Sequence, residues 1–459
     1  MRRLLSILCL MLSLAGADTV QAQQPDTARP PGIRLTTRYD VATRAAIAVR
    51  PFSGAPAIAG VVDSITRIIE RDLEYSGRYN VLPVPSALAR GRLDYAQWNA
   101  LNVVYLVTGE VSATAAGYEL ALTVHDVVYG RVRDEQTLRL PPATSAEFRM
   151  AAHAASDDIV RKTLNAPGIA ATRVAFTRKN PRSAGGVYTY DVLVVDADGF
   201  NLRRVGGASG QIYSPDWSPD GSRLLYAVNA GGGWRIVERN LGSGQTRTID
   251  VGTGMLTTPS YAPDGTRVAF SAWRESNWEL FEYNIAEDCC LRRLTTDRAD
   301  DISPTYSRDG SRIAFMSSRV GGMPHIFVMP AQGGGAVTIS PYVHGQRGYY
   351  TSPDLSPTSS EVAFHGHWNS RGTYQIMVAD ASRPGGQVRQ ITSAGANEDP
   401  SWAPDGRHLV YTHAGVRGSE PGLYVIDTAT GNRRSLTTGS EGLRLADWSP
   451  PLRRAAELR

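Results

Sequence analysis

Cysteine is scarce, with three residues in a chain of 459. Cys9 lies inside the opening apolar run, behind Leu8, a context unlike a lipoprotein acylation site. Cys289 and Cys290 are neighbours, so no pair can staple distant elements, and packing and hydrogen bonds must hold the fold. Two readings of the adjacent pair stay open: free thiols in a turn, or a strained eight-membered ring. A metal site there would lack any His or Cys partner at finger-like spacing. No run of lysines or arginines occurs and the net charge is only +4, which gives nucleic-acid binding no electrostatic support. After the first residues no stretch is apolar for eighteen positions, so no spanning helix or direct membrane insertion is expected. No G-x-S-x-G is present, which excludes the nucleophile elbow that propeller-linked hydrolases need. The eight histidines show no ligand spacing.

What is present starts with an export signal. Met1-Arg2-Arg3 is a basic start, Leu4 to Leu14 an apolar stretch too short to span a bilayer, and Ala15-Gly16-Ala17 a small-residue cleavage site, with Val20-Gln21-Ala22 a second. Residues 1–22 are therefore expected to be a signal peptide, cut after Ala17 or Ala22. An apolar content of 42% with 20% charged residues then describes a globular chain long enough for two or three cores.

A turn-bearing motif recurs along the second half. DWSPDG (Asp216 to Gly221), SYAPDG (Ser260 to Gly265), TYSRDG (Thr305 to Gly310), DLSPTS (Asp354 to Ser359), SWAPDG (Ser401 to Gly406) and DWSPPL (Asp447 to Leu452) place Trp217, Tyr261, Tyr306, Leu355, Trp402 and Trp448 at spacings of 44, 45, 49, 47 and 46. That period, in strand-rich units, fits four-stranded propeller blades. Five turns are followed by RLLY, RVAF, RIAF, EVAF and HLVY, and a sixth such strand, Arg173 to Phe176, has no turn before it. The last turn has no such strand after it. The two orphans are complementary, so Ala446 to Pro450 is expected to complete a blade begun by Arg173 to Val205, sealing six blades into a ring. The aspartates Asp220, Asp264, Asp309 and Asp405 repeat at one turn position, which predicts Asx-type bonds rather than catalysis. The Trp and Tyr anchors are expected to pack between blades.

Upstream, Ala45 to Val49 reads as a strand. Ile58, Val61, Val62, Ile65, Ile68, Ile69 and Leu73 mark an amphipathic helix ending near Gly77. Strands follow at Tyr79 to Leu82, Val103 to Val111, Tyr118 to Val128 and Gln136 to Leu140, with helices around Tyr95 to Leu101 and Ser145 to Leu164. The chain thus divides into an N-terminal arm (23–35), a small α/β domain (36–165), a linker at Asn165-Ala166-Pro167-Gly168, and an all-β six-bladed propeller (169–459).

The AIAVRPF strand (Ala46 to Phe52), LEYSGRYNVLP (Leu73 to Pro83), WNALNVVYLVTGEV (Trp98 to Val111), GIAATRVAFTRK (Gly168 to Lys179) and the half-blade ending follow one another as they do in the TolB family, which this chain resembles over nearly its whole length. The resemblance implies a monomeric periplasmic binding protein of the Tol-Pal envelope system, without enzyme activity or cofactor, supporting outer-membrane integrity and constriction in cell division. It implies that the lipoprotein Pal docks at one channel mouth and that TolA takes the N-terminal segment by strand addition. The TolA-binding residues would be Ile33, Arg34, Leu35, Thr36, Thr37 and Arg38, although Thr36, Thr37 and Arg38 depart from the more aliphatic family run. The Pal-binding residues would be Thr257, Thr258, Ile302, Glu398 and Asp399 beside the innermost strands, where Ser214, Ser303 and Ser352 also lie. Met255, Asp301, His344, Arg347, Tyr349 and Tyr350 would feed the mouth from its loops. One alternative stands beside this: a metal-assisted propeller hydrolase or lyase acting on a small carbohydrate or lactone, its cation held by Asp300, Asp301, Glu398 and Asp399.

Overall fold

The computed structural model describes residues 44–182, 188–208, 210–229, 233–249, 251, 255–342, 348–367, 373–415, 421–437 and 442–452. The leader, the arm and the proposed TolA-binding segment lie outside these residues.

The first domain is a mixed sheet under two helices. Strands β1 (Ala45–Val49), β2 (Ser53–Gly54), β3 (Tyr79–Val81), β4 (Tyr105–Thr114), β5 (Gly117–Asp126) and β6 (Arg131–Leu140) form one sheet of order β3-β1-β4-β5-β6, with β2 also pairing β4. Helix α1 (Ala59–Tyr75) turns Val62, Ile65, Ile69 and Leu73 onto the sheet, the face set by their spacing of three and four. Short helix α2 (Tyr95–Ala100) seats Trp98 on the other face with Ala48, Val103 and Leu106. Helix α3 (Phe148–Leu164) packs Phe148, Ala155, Ile159 and Val160 beside α1 and ends on Asn165 in the left-handed conformation at φ 51°. Strand β6 starts at Arg131, five residues before the expected Gln136. Its first half is polar and exposed, so apolar alternation could not reveal it; pairing with β5 defines it instead.

Six four-stranded sheets follow. Blades 1 to 5 are built in chain order, their innermost strands being Gln211–Trp217, Leu256–Tyr261, Asp301–Tyr306, Tyr349–Leu355 and Ala396–Trp402. In blade 6 the innermost strand is Leu443–Trp448, and it pairs antiparallel with Arg173–Lys179, bringing Trp448 opposite Val174. The closing strand begins three residues earlier than expected, because Leu443 and Arg444 still find partners in Arg178 and Thr177. The first three strands of the propeller thus receive their fourth from its last strand, as the orphan motifs predict.

The repeated residues take up the structural roles assigned to them. Asp220, Asp264, Asp309 and Asp405 each accept from the backbone N–H two residues on, at 2.8–3.0 Å. Tyr261 and Tyr306 are buried and donate their hydroxyls to Glu238 and Glu282 of the preceding blade, at 2.6 and 2.8 Å. Trp448 is buried and donates its indole N–H to Thr172 Oγ1 at 2.8 Å.

The turns that end the innermost strands share one end of the ring, and the α/β domain sits there against blades 5 and 6. Arg78 pairs with Asp405 at 3.2 Å, and Arg407 donates to the carbonyl of Gly77 at 3.0 Å. Arg149 pairs with Asp198, and Arg434 lies over the ring of Tyr75 at 4.2 Å. Asp157 of α3 accepts from the N–H groups of Ala170 and Ala171, both at 2.9 Å, and so fixes the linker as it approaches the ring.

Replacing Trp448 with Ala removes the buried aromatic at the seam and is expected to cost about 3–5 kcal/mol. Urea unfolding of parent and W448A measures it; a loss below about 1 kcal/mol would mean the seam does not govern stability.

Candidate docking mouth of the propeller

Each innermost strand bends at the same place. Ladder pairing skips between Tyr213 and Asp216, Thr257 and Ser260, Ile302 and Thr305, Thr351 and Asp354, Glu398 and Ser401, and Arg444 and Asp447. Within every skip sits one residue of positive φ: Ser214, Thr258, Ser303, Ser352, Asp399 and Leu445, between 47° and 58°. Non-glycine residues tolerate that region poorly, and six in a ring require surroundings that over-determine them. They line a channel cavity of about 110 Å³ together with Asp216, Asp354 and Asp447.

Those three aspartates, the first letters of the DxSP motifs, are half-buried residues facing the channel that sequence reasoning passed over as part of the turn. Each clamps its blade to the next. Trp217 N–H donates to Asp447 Oδ2 at 2.8 Å, Tyr261 N–H to Asp216 Oδ2 at 2.8 Å, and Trp402 N–H to Asp354 Oδ2 at 2.7 Å. Hydroxyls serve the remaining joints: Ser401 donates to Asp447 Oδ1 at 3.0 Å and accepts from Trp448 N–H at 3.1 Å, while Ser303 N–H donates to Thr258 Oγ1 at 3.2 Å. Burial pushes Asp354 up to about 6. Burial, then the neighbouring carboxyls, raises Asp447 and Asp216, so the ring keeps a proton well above the usual carboxylate range.

The expected mouth residues separate into two groups. Tyr349, Glu398, Thr257, Thr258, Ile302 and Met255 are half-buried at the end of the ring away from the α/β domain. Glu398 receives Arg444 Nη1 at 2.9 Å across the joint between blades 5 and 6. Tyr350, by contrast, is 1% exposed, packed on Phe364 and His325. Strand alternation sends Tyr349 and Tyr350 to opposite faces, so only Tyr349 is available to a partner. Asp301 is fully buried, both of its oxygens accepting from Arg319 Nη2 at 2.8 and 3.0 Å, and is likewise withdrawn from the surface. Asp399 keeps its carboxylate inside, where it accepts from Ser352 at 3.1 Å, and burial raises it. Its backbone N–H donates to His365 Nδ1 at 3.0 Å, and burial holds that imidazole down to about 4, hence neutral and accepting. His344 and Arg347 lie outside the described residues.

The four acids of the enzymatic alternative do not converge. Asp300 and Asp301 belong to blade 3, where they are engaged by Trp278 N–H and Arg319; Glu398 and Asp399 belong to blade 5, engaged by Arg444 and Ser352. Among the described residues, no metal-ligating cluster includes them.

Tyr349 belongs to an aromatic rim whose other members went unnoticed in the sequence. Tyr349 stacks on His367 with 5.9 Å between centroids and lies 5.5 Å from Tyr374. Tyr190, Tyr213 and Trp234 cluster where blades 6 and 1 meet, and His413 and Tyr424 do so in blade 5. Each sits where a strand starts or a hairpin turns at the mouth end, and the period of the blades was the available signal.

Family models match over residues 34–132, as the TolB amino-terminal domain, and over residues 161–452, as the TolB beta propeller domain. The chain belongs to the TolB family. TolB of Acinetobacter baumannii shares its structure with a TM-score of 0.76 at 25% identity, over 89% of this chain and 97% of that one. The Tol-Pal system protein TolB of Methylococcus capsulatus is 32% identical over 207 residues, 44% of this chain and 47% of its own length. That of Alkalilimnicola ehrlichii is 33% identical over 207 residues, again 44% of this chain and 47% of its own. The chain spans about half the length of the curated TolB relatives it matches.

In this TolB ring the channel aspartates carry a testable cost. An acid whose folded-state pKa is raised binds its proton more tightly when folded, so its contribution is full below the unfolded value, 3.8, and is lost as pH rises through the folded value. Asp447→Asn is therefore expected to flatten the fall in unfolding free energy between about pH 4 and pH 8. Denaturant titrations across that range test it, and parallel curves for parent and variant would refute it.

Proposed function

We propose that the protein is a periplasmic component of a Tol-Pal envelope system, acting by docking other proteins rather than by catalysis. The curated relatives bear a name that states an assembly and no reaction, and family membership extends over both domains. Among the described residues no helix is long and apolar enough to cross a membrane. The observation that carries the reading is the mouth itself: half-buried Tyr349 and its aromatic neighbours beside half-buried Glu398 and its exposed partner Arg444, on the end of the ring that the α/β domain leaves uncovered. Aromatic and arginine side chains at the centre of a concave surface are the groups that anchor protein partners. A Pal-like lipoprotein is the partner assigned to this mouth. A TolA-like protein is assigned to Ile33–Arg38 by strand addition, where an extended segment offers its own backbone groups.

With purified full-length protein, Tyr349→Ala and Glu398→Lys are each expected to weaken association with the Pal-like lipoprotein about tenfold or more while leaving the melting temperature unchanged. Deleting residues 33–38 should abolish capture of the TolA-like protein and spare the lipoprotein. Titration calorimetry and pull-down from envelope extract measure both. Undiminished lipoprotein affinity in the mouth variants would move the docking site elsewhere.

A further inference from the structure

The outermost hairpin of blade 2 turns by different means from its counterparts. In blades 6, 1, 3, 4 and 5 the connection between the third and fourth strands places a glycine at positive φ: Gly199, Gly244, Gly333, Gly385 and Gly431. Blade 2 has no glycine there. Its strands are Asn277–Asn284 and Cys289–Arg293, and the left-handed positions are taken by Asp288 in the connection, at φ 54°, and by Cys290, the second residue of the edge strand, at φ 66°. Two L-residues so close together in that region need something to hold them, and Asp288 is held by Tyr283, which donates to its carboxylate. At Cys290 the holder is covalent, a disulfide to Cys289.

The bond lies where a reagent can reach it. Cys290 is exposed and Cys289 half-buried, on the edge strand of the blade. The ladder pairs Phe281 with Arg293 and Glu282 with Arg292, then skips before pairing Asn284 with Cys289, so the disulfide occupies a bulge. Both ends of the segment are tied independently of it. Tyr283 donates to Asp288 Oδ1 at 2.9 Å, and Arg292 reaches Glu282 at 2.8 Å and the carbonyl of Gln332 in blade 3 at 2.6 Å. Opening the bond therefore frees the middle of the hairpin while leaving its ends in place.

We propose that Cys289–Cys290 is a thiol–disulfide exchange site whose substrate is a dithiol, and that its bond state sets the course of the outer strand of blade 2. A thiolate of the dithiol attacks the exposed Cys290 Sγ, the Cys289–Cys290 bond breaks, and Cys289 leaves as a thiolate that takes a proton from solvent. The second thiol of the partner resolves the mixed disulfide, releasing Cys290. The partner is oxidised to a disulfide and this chain reduced by two electrons. Reduced, the pair no longer holds φ positive at Cys290, and the bulge that blunts this edge can relax.

Alkylation and mass spectrometry of the tryptic peptide 275–292 test the site in the folded full chain, and Cys9 falls on a different peptide. As isolated, the peptide is expected to carry no alkyl group. After dithiothreitol without denaturant it should carry two, and removing the reductant in air should restore the starting mass. Alkylation before reduction, or only in denaturant, would overturn the proposal. Hydrogen exchange supplies a second readout: amides of residues 284–292 should exchange at least about tenfold faster after reduction, with those of blade 5 unchanged. Equal exchange in both states would refute the structural half. Cys290→Ser should show the fast exchange without reductant.

Discussion

A ring of sheets is stable only if its two ends meet, and here they meet in one backbone ladder. Leu443–Trp448 lies along Arg173–Lys179, and the two segments stand more than 260 positions apart in the chain. Every other blade is local, built from strands that follow one another, so its pairing costs little loop entropy. The seam is the exception, and it carries the largest penalty for loop closure. What offsets that penalty is concentrated around it: the buried Trp448 with its bond to Thr172, Ser449 accepting from Arg173 N–H, and Asp447 clamping Trp217 of blade 1.

The channel shows how the blades are kept in step. A carboxylate from one blade accepts a backbone N–H from the next, and hydroxyls fill the joints that lack an aspartate. Charge is expensive inside, and the raised pKa values of Asp216, Asp354 and Asp447 record the tension between clamping and repulsion. The same bends that bring these groups together turn the residues just ahead of them outward to the rim. Docking surface and inter-blade clamp are thus two sides of one irregularity, repeated six times.

Much of this was legible from residue patterns. The blades, their number and the shared sixth blade follow from the count of DWSP-like turns and RVAF-like strands, because period-two alternation and turn chemistry are local signals. The roles of Asp220 and its equivalents follow from repetition alone. Harder to read were positions whose meaning depends on depth. Tyr349 and Tyr350 look alike as letters, and only the phase of the strand past its bend separates the rim from the core. Asp301 looked like a surface acid, yet Arg319, eighteen residues on, draws it inside. Asp216, Asp354 and Asp447 belonged to a motif read for its turn, and nothing in a linear pattern says that its first letter faces a channel. Strand β6 escaped in its polar half because an edge strand owes its definition to a neighbour.

The placement of the α/β domain bears on how the molecule would answer a pull. Its last helix leads through a linker held by Asp157 straight into Arg173, the first residue of the seam strand. That strand is flanked on both sides, by Leu443–Trp448 and by Tyr190–Asp196. Tension applied from the amino-terminal side therefore runs lengthwise along a strand bonded on two edges, in shear, so that its rungs resist together instead of parting one at a time.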